Sequence, residues 1–355
     1  MASPSGTENS SSVLFSPTII GHYSMTGEIQ DFDGRNCAQI VIDWDEASEK
    51  KLKTPMDLNM AMDKVQRKNM KNHFNDRLKK LQQWILEHPE CMNAKPNFVT
   101  SRRVMRRLLT SIYPQEEHLV LHATKIGETI FLIRVPSKKE MQEQENASEE
   151  QQKNSSYGFK FEQFMTYGAD PSTGNDENKS YYVIVQAELA NHTLLYEAEA
   201  DGVIKEFYKV DRLPNLSKLI ELKTGMLKFD AMEQSLNPYK MRDTWAQCWP
   251  VGIQRVVCGF RDGSGVVRRI RSFRVKDLPD LQKKFKNKID FSPDKMENSL
   301  SEFLQWAKTE VKDDEAVYEL TVKQPQPGED RFHCSRLSPA SLLLLPDFVK
   351  EMRCK

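Results

Sequence analysis

The chain has 355 residues, 39% hydrophobic and 29% charged, a globular composition with enough apolar side chains for a core. Its 51 basic and 51 acidic residues give a formal net charge of zero, which excludes a globally basic nucleic-acid-binding protein and leaves only local clusters for that role. The 6 cysteines are scattered without a CxxC pair, which argues against zinc or disulfides and favours a reducing compartment, the nucleus and/or the cytoplasm.

The two ends of the chain differ in composition from its centre. Residues 1–13 are rich in serine and predict a disordered tail, followed by a single catalytic domain over residues 14–355. The N-terminal segment lacks the basic and apolar regions of a signal peptide. No window approaches the roughly 18 apolar residues of a membrane helix, so we expect no membrane partner.

Hydrophobic periodicity predicts a mixture of strands and helices. Strands are predicted at 37–43, 117–123, 128–135, 180–190, 193–200, 217–223, 251–260, 265–273 and 316–322. Helices are predicted at 57–87, 98–112, 243–249, 295–312 and 346–352. The polar stretch 137–156 has no aromatic residue and predicts a mobile surface loop. Because strands and helices do not alternate strictly, the sequence predicts an α+β fold in one domain.

Acidic residues occur in three short segments with apolar, strand-like surroundings. The segments are Gly158–Glu162, Glu199–Asp201 and Glu221–Lys223. On a strand, residues i and i+2 point to the same face, so Glu199 points with Asp201 and Glu221 points with Lys223. If the two strands are neighbours, three carboxylates and one ammonium group converge.

Such a cluster predicts a site for a hard divalent cation. Close carboxylates repel one another and raise their pKa values, and a cation that prefers oxygen ligands, Mg²⁺ or Mn²⁺, removes that penalty. A neighbouring lysine can orient the attacking water or neutralise charge in phosphate hydrolysis. An acidic residue on one strand followed by (D/E)-x-K on the next is the pattern of PD-(D/E)xK nucleases.

Each of these features also has a purely structural interpretation. Glu-x-Lys on a strand is commonly a solvent-facing ion pair, and Glu199-Ala-Asp201 can be a strand end before the turn at Gly202. The arginines between Arg102 and Arg107 can form a solvated helix face. The histidines show no metal-ligand spacing, so we assign them no metal.

A set of short motifs in a fixed order resembles the DXO family of decapping exoribonucleases. The motifs are Phe98–Arg102, Tyr157–Gln163, Glu199–Asp201, Glu221–Thr224, Trp245–Gln247 and Gly259–Asp262, with supporting similarity at Ile20–Ser24 and Phe303–Ala307. Each motif is short, but their order and spacing together are specific. The resemblance covers about residues 15–350.

The resemblance implies a fold of two mixed β-sheets with flanking helices, with a PD-(D/E)xK-nuclease-like core and an active site in a deep pocket. It implies metal binding by Glu199, Asp201, Glu221, the Leu222 carbonyl and, often through water, Glu162; two ions are expected with substrate bound. Lys223 and Gln247, together with Glu162, are the expected catalytic groups around the scissile phosphate. Arg102 is expected to contact the RNA 5′ end, with Glu162, Lys223 and Gln247 also facing the substrate.

The activity implied is metal-dependent hydrolysis at RNA 5′ ends in mRNA quality control. It comprises decapping of incomplete or NAD-type caps, pyrophosphate removal from 5′-triphosphate RNA and/or 5′–3′ exoribonuclease activity, with a 5′–3′ exoribonuclease as a further expected partner. The family's first motif usually reads Trp-Arg-Gly, whereas this chain has Ser101-Arg102-Arg103, so its 5′-end pocket is expected to differ.

Two alternatives remain open on the sequence. A DNA nuclease would use the same acidic cluster. A non-catalytic protein that binds RNA 5′ ends or tethers an exonuclease would tolerate loss of the acids, which this chain retains. For the enzyme, replacing both Asp201 and Glu221 with alanine is expected to abolish turnover, and relief of repulsion is expected to preserve or raise the stability of the metal-free fold.

Overall fold

The structure, a computed structural model, describes residues 15–40, 54–68, 78–114, 118–205, 212–226, 237–285, 289–314, 316–337 and 343–354. The predicted tail at residues 1–13 lies outside these ranges. Within them, no helix is both long and apolar enough to cross a membrane.

Fifteen described strands form two mixed sheets. The strands are β1 (Phe15–Thr26), β2 (Ile29–Asp31), β3 (Gln39–Ile40), β4 (Met56–Asp57), β5 (Phe98–Ser101), β6 (Leu119–Ile126), β7 (Thr129–Arg134), β8 (Lys179–Leu189), β9 (His192–Glu199), β10 (Gly202–Ile204), β11 (Leu219–Met226), β12 (Arg255–Arg261), β13 (Val266–Arg274), β14 (Val317–Val322) and β15 (Phe332–Arg336). The larger sheet has the order β15-β14-β6-β7-β5-β9-β8-β1-β2, and the smaller one β3-β10-β11-β12-β13-β4. Parallel pairs, β5 with β7 and β9, and β11 with β12, occur among antiparallel ones.

Helices cover the sheets. They are α1 (Lys79–Glu87), α2 (Arg102–Thr110), α3 (Lys138–Glu145), α4 (Glu149–Met165), α5 (Pro238–Cys248), α6 (Leu278–Gln282), α7 (Pro293–Glu310) and α8 (Pro346–Arg353). The predicted α+β fold with two mixed sheets and flanking helices is therefore confirmed.

Alternating side chains of the central strands separate the core into layers. On β9, Leu194 and Tyr196 join the main cluster with α2, α5 and α7, whereas Leu195 points to the opposite face, towards α1 and α8. A third cluster lies between α4 and the smaller sheet and contains Phe161 and Leu222. The main cluster includes residues of both sheets, and the acidic segments lie at its margin.

Among the described residues of the predicted helix over 57–87, the prediction is confirmed at its C-terminal end and wrong at its start. Residues 79–87 form α1, and Leu81, Trp84 and Ile85 are its buried face. Near the start of that range the backbone is hydrogen-bonded to a distant segment of the chain: Leu58 N–H donates to Gly265 O at 3.1 Å. Residues 69–77 of the prediction lie outside the described ranges. Likewise the predicted helix at 98–112 begins only at Arg102, after strand β5.

Two predictions around residue 150 are wrong in secondary structure. The polar stretch predicted as a loop, 137–156, contains α3 and the first half of α4, each begun by a capping box, Ser137 with Glu140 and Ser148 with Gln151. The strand-like segment Gly158–Glu162 belongs to α4 as well. Its local alternation of Phe and polar residues is overridden by the helical spacing of Phe161 and Met165, which are both buried against the smaller sheet.

Candidate active site

Strand β11 presents its polar residues to one face and its apolar residues to the other. Ile220 and Leu222 pack in the cluster beneath α4, so Glu221 and Lys223 point to the opposite face. The Glu221 side chain is fully buried, and that of Lys223 is 29% exposed. The prediction that these two side chains share a face is confirmed, and the alternative of a solvent-facing pair is excluded for Glu221.

Glu221 is the centre of a buried hydrogen-bond network. Arg102 Nη1 donates to its Oε2 at 3.1 Å, while Lys223 Nζ and the Gln247 amide both donate to its Oε1. Burial opposes ionisation, but Lys223 and Arg102 outweigh it and lower the pKa of Glu221. Burial alone would lower the pKa of Lys223, and Glu221 raises it to about 12. Glu221 is therefore held as a carboxylate between two cations.

Asp201 follows the end of β9 and lies beside β11. Its Oδ2 accepts the Leu222 backbone N–H at 2.7 Å. Because the N–H and C=O groups of one strand residue point to the same side, the Leu222 carbonyl faces the same side of β11 as Asp201. Burial, followed by the charge of Glu221, raises the pKa of Asp201 to about 7.

Helix α4 and strand β9 bring two further carboxylates to this place. Glu162 lies one residue after the buried Phe161, and its pKa is raised well above the ordinary value by burial, then by Asp201 and Glu199. Glu199, the last residue of β9, also acts electrostatically on Arg102. The structure thus brings together all four predicted acidic residues with Arg102, Lys223, Gln247 and Leu222.

The cluster holds more acidic than basic side chains. Four carboxylates, Glu162, Glu199, Asp201 and Glu221, face only two cations, Arg102 and Lys223. This excess suits a divalent cation with oxygen ligands. In the described ranges, no three acidic, histidine or cysteine side chains are arranged around one point as metal ligands. Glu221 is hydrogen-bonded by Lys223 instead.

The two acid-bearing strands are not neighbours in one sheet, contrary to the condition under which they were predicted to converge. Strand β9 belongs to the larger sheet and β11 to the smaller one. The chain passes from β9 through Asp201 into β10, which pairs with β11 through Gly202 and Ile220. A crossover between sheets therefore creates the site.

The acidic cluster opens into a cavity of about 1800 Å³. One wall is basic and consists of Arg102, Arg103, Arg106 and Arg107 of α2, with Arg134 of β7. Acidic residues of α3 also line it, namely Glu140, Glu143 and Glu145, and Glu140 forms an ion pair with Arg134. The sequence assigned no role to α3; the Ser137 capping box is the only local signal for it.

A further wall is formed by residues around Arg67 and the segment 169–180. It includes Lys68, Asn175 and Lys179, none of which was predicted to belong to the site. These residues approach the cavity through long-range contacts between irregular segments, so periodicity carries no signal for them. The cavity is larger than the roughly 300–1,000 Å³ of ordinary ligand pockets.

A buried acidic cluster with an adjacent Glu-x-Lys strand, in a fold of two mixed sheets, defines a nuclease of the PD-(D/E)XK type. The family model described as RAI1-like PD-(D/E)XK nuclease matches residues 16–345. The chain therefore belongs to this family.

Curated relatives are similar at modest identity. The decapping and exoribonuclease protein Rai1 of Drosophila melanogaster is 26% identical over 282 residues, which cover 74% of this chain and 73% of that protein. The decapping and exoribonuclease protein of Mus musculus is 27% identical over 262 residues, 70% of this chain and 65% of the mouse protein.

Solved structures share the fold over almost the whole chain. Candida albicans Rai1 in complex with pU5 and Mn²⁺ is 17% identical, with a TM-score of 0.77 over 98% of this chain and 99% of that one. Scheffersomyces stipitis Rai1 in complex with (3′-NADP)⁺ and a calcium ion is 19% identical, with a TM-score of 0.79 over the same shares. At these identities the comparison establishes the fold.

Proposed function

We propose that this protein is a metal-dependent hydrolase of RNA 5′ ends. The observation that carries the proposal is the buried excess of carboxylates around Glu221, which opens into a large cavity with an arginine-lined wall. Family membership supports the same chemistry, since the fly and mouse relatives are named as decapping and exoribonuclease proteins. The substrates are incompletely capped or NAD-capped ends, 5′-triphosphate ends and/or 5′-monophosphate RNA.

The residues present fit Mg²⁺ or Mn²⁺. Glu162, Glu199, Asp201 and Glu221 would supply carboxylate oxygens and Leu222 its carbonyl, a ligand set of hard oxygens. The raised pKa values of Glu162 and Asp201 reflect burial and repulsion that divalent cations would relieve. Bound there, such ions would activate water and neutralise charge on the scissile phosphate.

The side chains of this chain have distinct roles in the proposed reaction. Lys223 Nζ and the Gln247 amide, both beside Glu221, would hold the attacking water and a non-bridging phosphate oxygen. Arg102 uses one guanidinium nitrogen for Glu221, and its other donors can reach the 5′ phosphate. The water oxygen forms a bond to phosphorus as the bond to the leaving oxygen breaks, and that oxygen departs with a proton derived from water.

The alternative function, a protein that binds RNA ends or tethers an exonuclease without catalysis, needs the cavity but not the carboxylates. Retaining all four acidic residues in one buried cluster is costly without a cation. This observation favours the hydrolase. Binding of a 5′–3′ exoribonuclease is compatible with either function and is part of the proposal.

Product analysis of RNAs with defined 5′ ends tests the proposal. Monophosphate, triphosphate, unmethylated-cap and NAD-cap RNAs are incubated with Mg²⁺, Mn²⁺ or EDTA. The wild-type protein is expected to release mononucleotides, pyrophosphate, cap dinucleotide or NAD only with metal, and Asp201→Asn is expected to lose this activity. Glu188→Gln, a matched charge change at an exposed position of β8, should retain it. RNA binding without release of any product would instead establish the end-binding alternative.

A further inference from the structure

Helix α3 is held against the cavity wall chiefly by one side chain. Among its described side chains only Glu140 is partly buried, and the others are exposed. None of them belongs to a hydrophobic cluster of the core. The capping box between Ser137 and Glu140 fixes this residue in the first turn of the helix. An element with so little buried surface opens at a low free energy, so α3 can move without disturbing the sheets.

The Glu140 carboxylate forms an ion pair with Arg134 of β7. Both of its oxygens accept from the same guanidinium nitrogen, Nη2. Arg134 Nε has no partner among the described residues, so Glu140 satisfies the guanidinium group only in part. Burial opposes ionisation of Glu140, but the bond from Arg134, assisted by the charge of Arg107, lowers its pKa. A guanidinium group binds carboxylate and phosphate oxygens in the same way, so Glu140 holds a position that a phosphate can take.

The arginines of α2 crowd one another beside this pair. Arg103, Arg106 and Arg107 line the cavity together with Arg134. Burial lowers the pKa of Arg106, and the charges of Arg103 and Arg107 lower it further against the opposing effect of Asp243. Like charges held this close favour an additional anion among them.

The balance of charge differs between the walls of the cavity. The wall around Arg67 is mixed, with the basic residues Arg67, Lys68 and Lys179 and the acidic residues Asp170, Asp176 and Glu177. By contrast, α2 and β7 contribute only arginines and no acidic residue to the lining. The lining carboxylates of α3 are Glu140, Glu143 and Glu145. The basic part of the cavity therefore lies at α2 and β7, and α3 neutralises part of it through Glu140.

We propose that Arg134 binds a backbone phosphate of the RNA strand, and that Glu140 occupies its guanidinium group until RNA displaces the carboxylate. The inference rests on the proposed function. Arg102 bonds Glu221 at the acidic cluster, and Arg106 lies one helical turn, about 6 Å, further along α2, so the arginine wall leads away from the cluster. A strand whose 5′ end lies at the cluster would continue along this wall towards Arg134, with its phosphates on the arginines. Helix α3 thus competes with RNA for the cavity.

Equilibrium binding in EDTA tests this competition without turnover. The probes are a short 5′-monophosphate oligouridylate and UMP, which carries only the terminal phosphate. Glu140→Gln keeps an oxygen for the Ser137 N–H but removes the charge that engages Arg134. The variant should bind the oligouridylate about tenfold more tightly than the wild type, because a charge-assisted hydrogen bond no longer has to be broken. Both proteins should bind UMP equally.

Arg134→Gln separates phosphate binding from a structural role of the ion pair. It breaks the same pair as Glu140→Gln, so the two variants should lower the melting temperature by similar amounts. If the pair only held α3 over the cavity, both variants would bind RNA more tightly than the wild type. Because Arg134 is itself the phosphate contact, Arg134→Gln should bind RNA no more tightly than the wild type. The gain from Glu140→Gln should disappear when the two substitutions are combined.

Glu143→Gln is the matched control for the loss of negative charge. Glu143 lies on the same helix and also lines the cavity, but its partner is Lys139 of α3, at 3.8 Å. Its substitution should leave the affinity for the oligouridylate close to that of the wild type. An equal gain from Glu143→Gln and Glu140→Gln would show general repulsion of RNA by α3 and overturn the inference.

The outcomes distinguish this inference from the proposed function. The inference is overturned if Glu140→Gln gives no gain in affinity, if the gain persists together with Arg134→Gln, or if UMP gains as much as the oligouridylate. In each of these cases metal-dependent hydrolysis of RNA by the wild-type protein can still be observed. A wild-type protein that hydrolyses none of the RNAs overturns the proposed function itself, whatever the binding measurements show.

Discussion

Arg102 and Glu221 form a buried ion pair across the junction of the two sheets, with 3.1 Å between Nη1 and Oε2. Their side chains are 9% and 0% exposed, respectively. Arg102 begins helix α2 directly after β5 of the larger sheet, whereas Glu221 lies on β11 of the smaller one. The pair therefore joins the two sheets at the point where the acidic cluster forms.

Removing the cation of this pair should destabilise the fold. Arg102→Leu leaves Glu221 with less compensation, and breaking one partner of a buried pair costs on the order of 3–5 kcal/mol. Arg103→Leu, on the exposed side of the same helix, should change the free energy of unfolding by less than about 0.5 kcal/mol. Urea denaturation measures the free energy of unfolding of both variants. Equal effects of the two substitutions would show that the ion pair does not stabilise the fold.

The same pair revises the expectation for the double variant of Asp201 and Glu221. Repulsion between acidic residues predicted a metal-free fold at least as stable as the wild type. Because Glu221 is paired with both Arg102 and Lys223, its removal leaves two poorly compensated cations. Of the two substitutions in the double variant, we expect only the one at Asp201 to stabilise the metal-free fold.

Asp201→Asn should separate the effect of charge from that of metal. Asparagine keeps an oxygen for the Leu222 N–H but removes a buried charge, so in EDTA the variant should melt at or above the wild-type temperature. Added Mn²⁺ should raise the melting temperature of the wild type, since a ligand at 100 times its Kd stabilises by about 2.7 kcal/mol. The variant should show little of this rise, measured by calorimetry; an equal rise in both proteins would place the metal elsewhere.

The sequence predicts the site where its signal is local. Glu221 and Lys223 share a face because strands alternate, a two-residue relationship that any strand assignment captures. Glu162 was assigned to the correct cluster through its motif, but on a strand, because Gly158-Phe-Lys-Phe alternates locally while the buried Phe161 and Met165 follow a helical period. The contact between Arg102 and Glu221 spans 119 positions and two sheets, and no sequence period encodes it.

Gly259 should matter through its contact with α4. A Cβ atom there would lie 2.6 Å from a ring carbon of Phe161, the buried neighbour of Glu162. Gly259→Ala therefore forces the ring, and with it this turn of α4, away from β12, at a cost of about 1–3 kcal/mol. Both melting temperature and RNA hydrolysis should fall.

Gly263 provides the matched control for this substitution. A Cβ atom at Gly263 would meet nothing within 4 Å, so Gly263→Ala should leave melting temperature and hydrolysis close to the wild type. If Gly259→Ala behaved like Gly263→Ala in both measurements, tight packing of Phe161 on β12 would not be what positions Glu162.

Glu297 on α7 should make stability depend on pH, far from the proposed chemistry. Burial, and then the charge of Asp294, raises the pKa of Glu297 from its ordinary value of 4.5 to about 7. Below pH 4.5 the group is protonated in the folded and unfolded states, so it has no differential effect. As pH rises towards 7 the unfolded state loses the proton first, which favours unfolding, and above pH 7 the full penalty is present.

Glu297→Gln removes this penalty, so the variant should match the wild type near pH 4.5 and exceed its stability above pH 7. The half-buried position is partly screened by solvent, so we expect the free energy of unfolding to rise by roughly 1 kcal/mol above pH 7. Urea denaturation at several pH values measures this gain. Asp294→Asn removes only the neighbouring charge. It should reduce the loss of stability above pH 7 without abolishing it, because burial is the larger cause of the raised pKa. A gain for Glu297→Gln that is equal at all pH values would instead indicate a packing effect.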